Sequence, residues 1–172
     1  NSVISQCGQY TVACYIGGDY TFNHCTFANY WNYSFRNTPS ILLNNYYYDN
    51  NDNIQIRNLN NAYFGNCLIY GYLSTEISFD NNENGQFNFT FDHSLIKIDP
   101  NINTLSNNYI NTIKNADPLF TDYLNNDFSL QENSPAINSG NFQISQNNNL
   151  LFDLNELNRN DPPEIGAYEY DD

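Results

Sequence analysis

Apolar residues recur along this chain in short bursts of period two. Val12 and Cys14, Tyr20 and Phe22, and Cys25 and Phe27 make one set of three bursts. Period two is the mark of a strand whose alternate side chains face inward. The set returns at an interval of 21 residues. With Cys25, Tyr46 and Cys67 as one column, Phe22, Leu43 and Phe64 stand three places before it, and Tyr20, Ile41 and Ala62 five places before it. Phe27, Tyr48 and Ile69 stand two places after it. Cys14, Phe35 and Ile56 fill the column eleven places earlier, and Val12, Tyr33 and Ile54 the one thirteen places earlier. Ser2 and Ile4 extend the register backward. Ser94, with Phe89, Phe91 and Ile96, extends it forward once six residues are inserted around Asp80–Gly85, and Ile77 falls in the column of Ile56.

No part of the repeats sustains the 3.6-residue period of a helix. A two-residue step of turn formers separates the second burst from the third: Asn23-His24, Asn44-Asn45, Gly65-Asn66 and Asp92-His93. Three short strands per unit of about 21 residues predict an all-β chain, a parallel β-helix or solenoid, in preference to an antiparallel sandwich. Residues 1–98 form its coils, and 99–172 a last coil and capping tail of the same domain. Phe64 should be fully buried. Cys25 and Cys67, two coils apart, would lie about 9.6 Å from one another, beyond the ~7 Å reach of a disulfide. They are therefore expected to be core thiols, while a Cys7–Cys14 link is open.

Composition narrows the setting. The chain has 172 residues, enough for one domain with a sizeable core, and 16% of them are aromatic, which argues against disorder. A net charge of -14 sets aside nucleic acid and anionic lipid as partners and suits an extracellular or cation-rich setting, with plain solubility as the competing reading. No apolar run is long enough to span a membrane. Beginning on Asn1 with no Met, the chain is expected to be a processed product or a piece of something longer.

Beyond Ile98 the period fails. Phe128 and Leu130 mark one more coil, residues 141–160 read as an irregular polar loop, and residues 164–170 as a closing strand. The ordered series Asp117-Pro118-Leu119-Phe120, Asn126-Asp127-Phe128-Ser129-Leu130, Ser134-Pro135-Ala136-Ile137-Asn138-Ser139-Gly140 and Ile165-Gly166-Ala167-Tyr168-Glu169 resembles the C-terminal end of bacterial surface proteins of the pectate-lyase-like class, of the choice-of-anchor Q type. That resemblance implies a right-handed parallel β-helix at the bacterial cell surface (outer-membrane exterior) or secreted, with a substrate cleft beside the first sheet. An exposed first edge at Asn1 would need cover from another chain.

Candidate chemistry sits on the outward positions of the first strand. Arg36 and Arg57 are expected to be neighbours there, with Tyr15 before Arg36 in the same column and Glu76 one column away. Like charges so placed call for an anion between them. Tyr30, Trp31 and Tyr72 add aromatic platforms, and together these residues suggest a groove for an acidic glycan. The competing reading pairs the arginines with Glu76 or a nearby Asp. Paired outward carboxylates, as an inverting glycosidase requires, are absent from the columns. His24 and His93 fall in the turn step. No cofactor is expected, and calcium has no specific site. The expected role is non-catalytic binding or scaffolding, with glycan or other proteins of a cell-surface complex as partners; a polysaccharide lyase or glycosidase is the alternative.

Overall fold

The computed structural model describes residues 1–171. Its strands, in chain order, are β1 (Ser2–Ser5), β2 (Val12–Cys14), β3 (Gly18–Asn23), β4 (Cys25–Asn29), β5 (Ile41–Asn44), β6 (Tyr46–Tyr48), β7 (Ile54–Ile56), β8 (Leu59–Gly65), β9 (Leu68–Gly71), β10 (Ile77–Asp80), β11 (Thr90–Asp92), β12 (Leu95–Ile96), β13 (Tyr109–Ile110), β14 (Ile113–Lys114), β15 (Phe120–Asp122) and β16 (Asp127–Leu130). A 3-10 turn over Tyr123–Asn125 and one short α-helix, α1 (Phe142–Asn147), complete the described elements. The chain is all-β, and three of its sheets are wholly parallel. Their orders are β1-β4-β9-β12-β14, β13-β11-β8-β3 and β10-β5-β2.

Much of the column register is realised. Ser2 pairs with Cys25 and Ile4 with Phe27; Tyr20 pairs with Ala62 and Phe22 with Phe64; Ile69 pairs with Ile96. Along one sheet the rings stack: Phe22 on Phe64 at 4.9 Å, Phe64 on Phe91 at 5.0 Å and Phe91 on Tyr109 at 5.8 Å between centroids. Phe64 is fully buried, as expected, in a cluster with Cys14, Phe27, Ile41, Leu43 and Ile96. The turn step holds in three of its four places, Asn44-Asn45 being the exception. His24, Asn66 and His93 have φ of 50°, 50° and 46°, and Asn111 continues the series at 44°. These left-handed residues let the chain leave one sheet and enter the next within two positions.

The single 21-residue interval does not hold. In the five-stranded sheet Ser2 pairs with Cys25 and Leu68 with Leu95 at 23 and 27 residues, as the extended register gives, but Thr26 pairs directly with Leu68 and Leu95 with Ile113, at 42 and 18 residues. The middle unit is the misread one. Ile41 and Leu43 join the sheet of Val12 and Cys14, not that of Tyr20 and Phe22, and Ile77 pairs with Ile41 rather than following Ile56. Tyr46–Tyr48 and Ile54–Ile56 pair with each other as an antiparallel hairpin. Tyr33 and Phe35 are 81% and 89% exposed. The hairpin closes locally: Asp49 Oδ1 accepts from the amides of Asn51 and Asn53, and Asp52 takes φ 60°. A period-two burst fits either partner, and the nearer one closes the smaller loop.

It follows that Cys25, which opens β4, and Cys67, which immediately precedes its partner strand β9, are direct neighbours and not two units apart. All four cysteines are free thiols.

The tail also departs from expectation. A further pass through two sheets occupies β13 and β14, where the apolar pattern is two residues per strand and too short to read. Phe128 and Leu130 do lie in a strand, but β16 pairs antiparallel with β15. Residues 142–147 of the supposed loop are helical, capped by the Asn141 side chain. Residues 164–170 form no strand. Gly166 has φ 113°, and the amides nearby are taken singly: Ile165 by Ala136 O, Gly166 by Asn66 O and Ala167 by Thr26 Oγ1.

The tail packs on the outer face of the five-stranded sheet. A second cluster there joins Ala28, Tyr30, Leu68 and Leu95 to Phe120, Phe128, Leu130, Ala136 and Ile165. This explains why every residue of β4 is buried: one face meets the first cluster and the other meets the tail.

Candidate functional site: a tyrosine cleft

Strand register places the site. Asn29 pairs with Gly71, so Tyr30 and Tyr72 leave neighbouring strand ends side by side, with ring centroids 5.1 Å apart and nearly perpendicular. Ile69 pairs with Ile96, so Lys97 emerges beside Tyr70, and its Nζ sits 4.4 Å from the centre of that ring. Opposite stands the tail turn after β15. Its Tyr123 stacks on Tyr30 at 4.2 Å and meets Tyr72 edge-on at 6.0 Å. The turn is held by Asp122, whose carboxylate accepts from the Asn125 amide and side chain, and by Asn126 at φ 65°.

Tyr30, Tyr70, Tyr72, Tyr123, Lys97 and Asp117 thus line a cleft of about 370 Å³. A second depression of about 350 Å³ adjoins it across Tyr30 and includes Gln6, Asn32, Tyr33 and Asn126. Tyr72 is 45% exposed and presents its ring, whereas Tyr30 is buried as the shared wall. Lys97 donates to Gly71 O at 2.7 Å, and burial lowers its pKa from the ordinary lysine value. Burial likewise raises the phenol pKa of Tyr30 and Tyr70, with the Asp117 carboxylate adding to it, so both stay protonated donors at neutral pH. Asp117 accepts from the Leu119 amide at 2.9 Å.

The predicted site residues divide between this cleft and other places. Tyr30 and Tyr72 meet in it. Trp31 lies next to it but turns to its own loop: Nε1 donates to Ser34 Oγ, and the ring packs over Gly8. Tyr15 is half-exposed beside β2 and does not line the cleft.

Arg36 and Arg57 do not form the expected pair. Arg36 is buried, and its two terminal nitrogens hold the Glu76 carboxylate at 2.7 and 2.9 Å. Glu76, also fully buried, accepts further from the Ser40 amide and hydroxyl and the Leu73 amide. Gly71 is required beside it, since a Cβ there would collide with Glu76 Oε1 and Asn29 O. Arg57 is exposed over the Tyr47 ring of the hairpin and donates to Ile56 O and Tyr47 Oη. The arginine column depended on the 21-residue interval and fails with it. Pairing of Arg36 with Glu76, the competing reading, is what forms.

Sequence reasoning missed Tyr70, Lys97, Asp117 and Tyr123. For the first two a signal existed: once the inserted residues are aligned, Tyr70 in β9 and Lys97 directly after β12 fall at the same outward position of adjacent strands. Asp117 and Tyr123 arrive from the tail and carry no periodic signal.

His24 and His93 are structural. His24 Nδ1 faces Gly166 O at 3.2 Å, a carbonyl that can only accept, so the proton sits on Nδ1. Nε2 then accepts from Ser145 Oγ and Asn66 Nδ2. Burial first, then the Arg159 charge, lower its pKa to about 3. His93 bridges Asp92 and Asn111 along the turn column. Among the described residues no group of three or more His, Cys, Asp or Glu side chains could hold a metal ion, and no helix is long and apolar enough to cross a membrane.

Comparison with protein families, curated proteins and solved structures gave no match.

Proposed function

We propose that this chain is the C-terminal part of a right-handed parallel β-helix protein of the pectate-lyase-like, choice-of-anchor type, displayed on a bacterial surface or secreted, and that it binds glycan without catalysis. Support for the architecture comes from three parallel sheets that the chain visits in the same order in its first three passes, the last pass skipping the three-stranded sheet. Support for the setting is the resemblance of the tail motifs and the net charge of -14.

The tyrosine cleft carries the binding reading. A sugar ring needs an exposed aromatic face with polar groups nearby, and Tyr72 offers an exposed ring in a cleft that Lys97 and Asp117 also line. The arginine pair that would select an acidic glycan is absent from the cleft, so neutral sugars suit it better. The lining holds one carboxylate, Asp117, whereas glycoside hydrolysis uses two; binding is therefore carried ahead of catalysis.

A glycan array read with the wild type, Tyr72→Ala and Lys97→Ala tests this. Loss of the Tyr72 ring should weaken binding about tenfold, the equivalent of ~1.4 kcal/mol. Absence of any bound glycan, or undiminished binding by Tyr72→Ala, would sink the reading and leave protein scaffolding.

A further inference from the structure

A second chemistry lies in the first core cluster, away from the tyrosine cleft. Thr26 pairs with Leu68 in the parallel ladder between β4 and β9. Carrying that register back one residue sets Cys25 opposite Cys67, at a backbone spacing of about 4.8 Å. Disulfides join Cα atoms about 4.4–6.8 Å apart, so the pair falls within reach. Both side chains enter the same apolar cluster, with Cys67 wholly enclosed and Cys25 6% exposed. Each thiol is also aimed by the backbone, Cys25 Sγ donating to Asn23 O and Cys67 Sγ to Gly65 O and Phe22 O.

We infer that Cys25 and Cys67 are an oxidisable dithiol, which a small-molecule disulfide converts into a cross-strand disulfide stapling β4 to β9. Cys25 attacks first. It is the more exposed of the two, and the Asn1 ammonium, 3.7 Å from its sulfur, favours its thiolate. Cys67 is held well above the ordinary thiol pKa by burial and resolves second. The Cys25 thiolate displaces one thiolate from the oxidant and forms a mixed disulfide. Cys67 then gives up its proton, attacks Cys25 Sγ and expels the second thiolate. The protein loses two electrons and two protons, and two small thiols are released.

Cys14 is an internal control. It is equally buried, but its partners across the ladder are Leu43 and, through it, Phe79, and burial drives its thiol up to about 12.

The folded protein is incubated with oxidised glutathione at neutral pH, alkylated and digested without reduction. A peptide pair linked through Cys25 and Cys67, lighter by two hydrogens, is expected, with a higher thermal midpoint that dithiothreitol reverses. Cys67→Ser should trap glutathione on Cys25, and Cys25→Ser should leave Cys67 unmodified. The inference fails if both thiols remain alkylatable after native oxidation, if links run instead to Cys7 or Cys14, or if the pair links only in denaturant. Wild-type mapping decides these outcomes even where a variant folds poorly.

Discussion

Glu76 shows how one residue's surroundings decide its role. On the sequence it is an outward carboxylate near two arginines, open equally to ligand binding and to pairing. In the fold it is fully enclosed and accepts five hydrogen bonds, two from Arg36, two from Ser40 and one from the Leu73 amide. A buried ion pair contributes little against apolar replacements of the same volume, but removal of one partner strands a charge away from water. Glu76→Ala should therefore cost about 3–5 kcal/mol, measured by urea unfolding. The double variant Arg36→Met, Glu76→Leu should cost less than the sum of its parts. An Ala variant as stable as wild type would show that Arg36 reaches solvent instead. The side chains are 40 positions apart, and no local pattern brings them together.

At the scale of elements, the strands are short and few of them could persist alone. What holds them is the side-chain ladder across successive pairings. Phe64 sits at its centre, stacked on Phe22 and Phe91 and edge-on to Phe27. Phe64→Ala removes contacts to all three and should cost about 3–5 kcal/mol, read as a fall in the circular-dichroism melting midpoint; a melt unchanged within error would contradict the ladder. This ladder was legible because Phe22, Phe64 and Phe91 each precede a turn step by one residue. The hairpin β6–β7 was not. Its alternation is as good as that of any buried strand, and only the Asp49-centred turn tells where it pairs.

At the scale of the whole molecule, the tail is bound to the sheets through groups whose protonation matters. His24 is buried neutral, with donors facing Nε2, so protonation would set N–H against N–H and O–H. Its folded pKa of about 3 lies below the ordinary 6.5, so its contribution is complete above 6.5 and lost as pH falls from there toward 3. Glu164, in the tail, is pushed up from 4.5 to about 8 by burial and then by Glu169. Its contribution is complete below 4.5 and lost as pH rises toward 8. Between 4.5 and 6.5 the two slopes oppose one another, each at most about 1.4 kcal/mol per pH unit. Thermal midpoints from pH 3 to 9 should therefore peak in mildly acidic buffer and fall on both sides. His24→Gln should flatten the acid side, Glu164→Gln the alkaline side. A midpoint that climbs steadily to pH 9 would show that Glu164 is not held protonated.

The sequence by itself determined the strand character, the parallel stacking of like residues, the left-handed turn step and the aromatic core. Each rests on alternation or on a residue's own backbone preference, and these are local properties. It could not determine which bursts pair. A period-two segment fits any partner of like pattern, and loop insertions shift the interval without leaving a mark on the strands. The tertiary structure decided that Ile41 joins Val12, that Cys25 faces Cys67, and that Arg36 is enclosed by Glu76. It also decided the cleft, because Tyr123 and Asp117 come from a tail whose place depends on burying its own apolar residues against the outer face of Ala28, Leu68 and Leu95.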